Sequence, residues 1–480
     1  MRLLTLIAMS VLVALTATAQ VDRSKKPEPG PTPQLKLPRL QHAQLKNGLK
    51  VIFVEHHQIP VAQMELVFQT GAAADPAGKA GLASLTAQML DEGTQTRSAL
   101  QIADDFDFIG ARYGAFVNAD GSFITLLTLS EHLKKAIELF SDVIVHPTFP
   151  DSEYARVQKK TLTALLQDKD QPAVVASNVF ARLLYGKSHP YGEPVDGTET
   201  SVRSITIEDI RHFYETYYRP NNATLIIVGD IEPKTLITEL ESAFGPWEER
   251  EVPVQLVPAA VPPAHTTIYL IDKPNAPQSQ IRVGGIGLPR ETKDYYATVV
   301  LNQILGGTFN SRINWVLREV KGYTYGARSS FDYRKSAGPF VVAAGVKTSV
   351  TDSSIIDVMN ELTRIRRDAV QEGELNLAKA SIIRSLPRNF ETVGDIARQI
   401  ATLVLYNLPD DYFSHLVSNI EAVTAADVQR AAQHYLHPDA SVVVVVGDVQ
   451  SVKEPLEKLG ISPAGGVVLV DEQGNPLGKK

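Results

Sequence analysis

The chain has 480 residues, of which 44% are hydrophobic and 21% charged, and a formal net charge of −7. That length exceeds what one hydrophobic core fills, so more than one domain is expected, and an acidic balance without a long basic run argues against nucleic acid as a partner. The lack of cysteine removes disulfides, thiol catalysis, thiolate metal sites and lipid attachment through Cys.

Arg2, the apolar run from Leu3 to Leu15 and the small-x-small triplet Ala17-Thr18-Ala19 predict an export signal over residues 1–19, with the mature chain starting at Gln20. The competing reading, an uncleaved membrane anchor, is opposed by the shortness of the apolar stretch and by Thr5 and Ser10 within it. Residues 20–39, rich in Lys and Pro, predict a tether. No later stretch is apolar for long enough to span a bilayer. A periplasmic protein of a Gram-negative envelope, with no transmembrane anchor, is the expectation.

A first domain is expected over residues 40–244. It opens with a hairpin signal, Asn47-Gly48 between strand-like runs, and continues with a strand from Val61 to Phe68. Residues 245–264 contain Pro253, Pro258, Pro262 and Pro263 and predict a linker. The second domain is expected over residues 265–480. The two stretches are related by an internal repeat. Tyr218-Arg219-Pro220-Asn221 leads into an apolar strand ending Gly229-Asp230, and Leu436-His437-Pro438-Asp439 leads into one ending Gly447-Asp448. Pro438 and Pro220 differ by 218 positions, as do Asp448 and Asp230. The same offset relates Thr206 to Thr424 and Asp209 to Asp427, each pair reading as a helix N-cap with an acidic third residue.

Several segments in order carry a family likeness. They are residues 45–54, Gly81-Leu82-Ala83, His189-Pro190-Tyr191-Gly192 with Gly197-Thr198, the Tyr218 to Asp230 stretch, and Ser311-Arg312 running to Tyr325. Together, from about His42 to Val449, they resemble the insulinase/pitrilysin (inverzincin) zinc peptidases. Within that family they are most similar to the short-chain subgroup that includes mitochondrial processing peptidase and bacterial two-subunit peptidases. The resemblance implies an α+β fold of LuxS/insulinase type: two homologous two-layer halves, each a mainly antiparallel sheet with helices on one face.

The resemblance also says what is missing. Active members carry H-x-x-E-H on the first helix, with two His on one helical face holding zinc and the Glu activating its water. In register, Ser84 and Gln88 stand where the two His belong and Ala87 where the base belongs. The third ligand, a Glu ahead of an Asp-x-Pro turn, maps by counting back from Asp170-Gln171-Pro172 to Ala164, 76 residues after Gln88. No zinc is therefore expected on this chain, and none of its residues is expected to be catalytic alone. A relocated metal site is opposed by the remaining histidines. His56 and His57 are adjacent and would point to opposite sides of a strand, and His434 and His437 have no acidic base beside them. His189, within its turn motif, reads as structural.

The second half keeps a pair that the family uses on substrate. Arg318 and Tyr325, seven residues apart, match an Arg and a Tyr that hydrogen-bond the peptide backbone near the scissile carbonyl. The likeness thus implies a non-catalytic, peptide-binding subunit whose zinc sits on an exported partner of the same family with an intact H-x-x-E-H. The alternative is a structural or peptide-binding homodimer with no peptidase partner.

Overall fold

The structure is a computed structural model that describes residue 30 and residues 39–463 and 466–478. The expected export signal and most of the 20–39 tether lie outside the described residues. Among the described residues, apolar runs form twelve strands in two six-stranded sheets. The first holds β1 (Gln41–Gln44), β2 (Lys50–Glu55), β3 (Val61–Phe68), β4 (Arg112–Val117), β5 (Ser122–Leu129) and β6 (Ala223–Gly229), in the order β1-β2-β6-β3-β5-β4. The second holds β7 (Thr267–Asp272), β8 (Gln278–Ile286), β9 (Thr324–Phe331), β10 (Pro339–Lys347), β11 (Val442–Gly447) and β12 (Val467–Leu469), in the order β12-β7-β11-β8-β10-β9. Most pairings are antiparallel; β2 with β6, β7 with β11 and β7 with β12 are parallel.

From β2 onward in the first sheet and β7 onward in the second, the strand order is the same. The repeat seen in the sequence is thus a repeat of topology. It extends to local chemistry: Thr206 with Asp209 and Thr424 with Asp427 each form a complete capping box, opening helices Ile207–Tyr217 and Ala425–Tyr435. Each box satisfies two backbone donors that a helix start otherwise leaves open.

Each sheet packs its own helices on one face. In β3, Met64 and Leu66 point into that layer, while Gln63, Glu65 and Val67 point the other way. The opposite faces are covered by exchange. Helix Val393–Leu405 of the second half lays Val393, Ile396, Ala397, Ile400 and Ala401 on Ile52, Val54, Val67, Ile226 and Val228. Helix Pro172–Tyr185 of the first half lays Val175, Ala176, Val179 and Phe180 on Val442, Val444 and Val446. Burying one large aliphatic side chain is worth roughly 1.5–3 kcal/mol, so uncovering both faces would cost as much as a typical domain's whole stability, about 5–15 kcal/mol. The halves therefore stand or fall together.

A polar latch adds to this. The carboxylate of buried Asp120 accepts from the Tyr191 hydroxyl (2.7 Å) and from the Lys335 backbone N–H (2.8 Å), and the Tyr185 hydroxyl donates to the Ala337 carbonyl (2.9 Å). These bonds tie the turn between β9 and β10 into the first half. Residues 250–263 carry neither helix nor strand. They are held to the first half by His189, whose Nε2 lies 3.0 Å from the Pro258 carbonyl and whose Nδ1 accepts from the Tyr191 N–H. Burial holds the imidazole below its ordinary range, consistent with a neutral ring.

The adjacent His56 and His57 differ from expectation. They sit in a turn after β2 ends at Glu55, not on a strand. His57 is held by Asp230 (2.7 Å) and Glu55 (3.3 Å), which raise its pKa, and buried His56 Nδ1 has no hydrogen-bond partner among the described residues.

Candidate functional site

The helix at the zinc-motif position spans Leu82–Gln88. It starts on Gly81, at φ 95°, where an added Cβ would lie 2.9 Å from the Asp196 carbonyl; only glycine fits. Asp75 accepts from the Gly81 and Ala83 N–H groups, both at 2.8 Å, and so serves the open helix end. Burial pushes its carboxyl up to about 7 against those hydrogen bonds.

On this helix Ser84 is 8% exposed and donates to Asp196 Oδ1 at 2.8 Å. Gln88 Nε2 donates in turn to Ser84 Oγ at 3.2 Å. Ala87 is buried, and Ala164 is exposed on helix Asp151–Lys169. The four positions offer one hydroxyl, already donated, one amide and two methyl groups. Zinc takes imidazole, thiolate or carboxylate, so this donor set does not fit it. Among the described residues no group of three or more His, Cys, Asp or Glu could hold a metal ion.

The second half presents different chemistry. After the glycine turn at 305–308 comes a single turn, Arg312–Asn314, which widens into a π-helical stretch, Trp315–Val320. Its bonding is correspondingly long in sequence, Lys321 N–H reaching Val316 C=O at 3.0 Å, and the turn that ends it is closed by Tyr323 N–H on Leu317 C=O at 2.8 Å. Such widened turns are rare and recur at functional sites. Arg312 anchors the segment through a bidentate pair with Glu374, at 2.7 and 2.6 Å. Arg318 leaves the π stretch with its guanidinium 4.4 Å from the centre of the Phe309 ring and 3.3 Å from Glu319. Tyr325, at the start of β9, is 88% exposed, and its hydroxyl has no partner among the described residues. Phe309, Trp315 and Val320 are exposed as well. These apolar side chains are left open in a chain that buries its other tryptophan, Trp247.

The sheet edges also differ. Beyond its contacts with β5, the backbone of β4 has no hydrogen-bond partner among the described residues. On β9 the outward Ala327 and Ser329 N–H groups are taken by Asn314 Oδ1 (2.9 Å) and the Gly306 carbonyl (3.0 Å).

A family model described as Insulinase (Peptidase family M16) matches residues 50–191, and one described as Peptidase M16 inactive domain matches residues 204–382. The chain belongs to the M16 peptidase family. An uncharacterized zinc protease of Bacillus subtilis is 23% identical over 400 residues, covering 83% of this chain and 96% of that protein. One from Streptomyces coelicolor is 24% identical over 414 residues, covering 85% and 90%. Among solved structures, a peptidase M16 inactive domain from Pseudomonas fluorescens superposes with a TM-score of 0.80 at 27% identity, covering 85% of this chain and 98% of that one. A protease from Helicobacter pylori shares the fold at a TM-score of 0.81 and 19% identity, covering 86% and 100%. The M16 assignment agrees with the α+β, two-half architecture, and no helix among the described residues is long and apolar enough to cross a membrane.

Sequence reasoning did not reach Asp75, Asp196, Asn314 or the Arg312–Glu374 pair. A polar Asn314 between Ile313 and Trp315 was the available signal, since a buried amide must find partners.

Proposed function

We propose that this M16 chain is the non-catalytic, substrate-binding subunit of a two-chain zinc-dependent peptidase, acting in the periplasm on peptides or unfolded protein segments. The observation that carries the reading is the contrast between the two sites. Ser84, Ala87, Gln88 and Ala164 supply no metal-binding set, while Arg318 and Tyr325 stand open to solvent with donors to spare. A guanidinium and a phenol are suited to the carbonyl oxygens of an extended peptide, and to the charge that grows on one of them during hydrolysis. The free edge of β4 supports the same reading, because a strand edge captures extended peptide through its backbone. Zinc and the water-activating base belong on the partner, an exported M16 chain with intact H-x-x-E-H.

The test is co-expression of the full-length chain with such a partner, followed by gel filtration, metal analysis and a peptidase assay. The expected result is a joint elution peak with activity above that of the partner alone, and no stoichiometric zinc on this chain by itself. About one zinc per chain with chelator-sensitive proteolysis, or a partner fully active and unchanged in elution alone, overturns the reading. A homodimer that binds peptide without any zinc-bearing chain would favour the alternative.

A further inference from the structure

We propose that Asn314 is a positioning residue that holds Arg318 and Tyr325 in their working arrangement; this rests on the reading that the pair binds peptide. Asn314 is 3% exposed, so its amide cannot fall back on water. It spends both ends of that amide inside the site. Oδ1 accepts from the Ala327 N–H at 2.9 Å, and Nδ2 donates to the Phe309 carbonyl at 2.6 Å. The first bond fixes β9 two residues beyond Tyr325. The second fixes the loop whose Phe309 ring lies under the Arg318 guanidinium. One side chain thus sets the strand that carries the phenol and the platform that carries the cation.

The neighbourhood leaves few other ways to do this. The π-helical stretch that follows Asn314 carries Arg318 on a widened turn. The glycine turn packs so closely on β9 that a Cβ on Gly306 would lie 2.4 Å from the Ser329 nitrogen. Ser329 also ties the strand to the helix before the turn, its Oγ donating to Asn302 Oδ1 at 2.8 Å, while Asn314 joins the strand to the loop that carries Phe309. By filling the outward N–H of Ala327 it also keeps an incoming strand from pairing there, which leaves peptide to meet Tyr325 and Arg318 through their side chains.

The experiment uses the full-length chain, fluorescein-labelled β-casein as an unfolded probe, and the fluorescence anisotropy of Trp315. The only other tryptophan, Trp247, is 3% exposed and supplies a constant background. Asn314→Leu removes both hydrogen bonds at nearly constant volume. It is expected to weaken casein binding roughly tenfold, the effect of one to two hydrogen bonds, and to lower Trp315 anisotropy. Asn314→Asp, ionised, keeps the acceptor but sets a carboxylate oxygen against the Phe309 carbonyl; protonated, it regains the donor. Its affinity relative to the natural chain should therefore recover as pH falls through the new carboxyl's pKa, a rescue that general destabilisation does not produce. Should Asn314→Leu fail to fold, this pH rescue decides. Arg318→Ala and Tyr325→Phe are measured alongside. If they weaken binding while the Asn314 variants match the natural chain, the positioning role is overturned and the peptide-binding reading stands. If neither has an effect, that reading fails and this inference with it.

Discussion

The first sheet ends on β4, whose outer backbone groups meet nothing beyond β5 among the described residues; the second ends on β9, where Asn314 and Gly306 occupy the outward N–H groups of Ala327 and Ser329. The helices beside these edges differ in the same sense. Leu82–Gln88 ties Ser84, and through it Gln88, to Asp196, while the stretch from Arg312 to Tyr325 turns Arg318, Tyr325, Trp315 and Val320 toward solvent. Strand order and capping boxes, by contrast, are the same in both halves. The parts that agree are those whose loss would expose a core or leave helix ends unpaired. Exposed chemistry carries no such penalty and is free to diverge, so in a duplicated chain function is to be sought where the copies disagree.

This comparison can be broken at several points. The largest effect is expected at the open pair. In the proposed two-chain peptidase, Arg318→Ala or Tyr325→Phe should lower turnover roughly 10²–10³-fold, as removal of one transition-state donor does. Thermal midpoints should stay unchanged, because neither side chain is buried; steady-state kinetics with the purified pair decide, and unimpaired turnover makes the pair structural.

Next comes the latch that makes one body of the two halves. Asp120→Ala leaves the buried Tyr191 hydroxyl and the Lys335 N–H without their acceptor, at a cost of about 2–4 kcal/mol. Urea denaturation reads this as a lower midpoint with a single transition. Two separate transitions would show that the exchanged helices do not couple the halves.

A smaller, pH-dependent effect is expected at Glu65, under the exchanged helix Val393–Leu405. Burial pushes its carboxyl up to about 7, with Arg398 opposing, against an unfolded value near 4.5. A carboxyl raised in the folded state binds its proton more tightly there, so its contribution to stability is held at low pH and lost as pH rises through about 7. Between pH 5 and 8 the natural chain should lose about 2 kcal/mol relative to Glu65→Gln. Asp75 and Asp91 are shifted in the same direction but are common to both proteins and cancel in the difference. Parallel stability curves would place Glu65 in a wetter site than the packing implies.

The smallest effect is expected on the helix Leu82–Gln88. Ser84→Ala removes the hydrogen bond to an exposed Asp196 and the one that Gln88 donates to Ser84, together worth about 1–2 kcal/mol, and should leave the activity of the proposed pair untouched. A loss of turnover comparable to that of Arg318→Ala would mean that the degenerate helix still handles substrate.

Much of this was legible in the sequence because the relevant forces are local. The 218-residue offset, the capping boxes, strand β3 and the Val-rich β11 follow from periodicity and from side chains within a few positions of the backbone they serve. The unsuitability of Ser84, Ala87 and Gln88 for zinc follows from donor chemistry alone, whatever the fold does. Tertiary structure decided the rest, because it depends on residues far apart in the chain. The exchange of helices Pro172–Tyr185 and Val393–Leu405 is invisible in either helix, since an apolar stripe does not say which sheet will cover it. Asp120 looks like any turn aspartate until Tyr191 and Lys335 converge on it across 71 and 215 positions. Whether an edge strand is open depends on what happens to pack beside it, and only the folded chain brings Asn314 to Ala327 while leaving β4 bare.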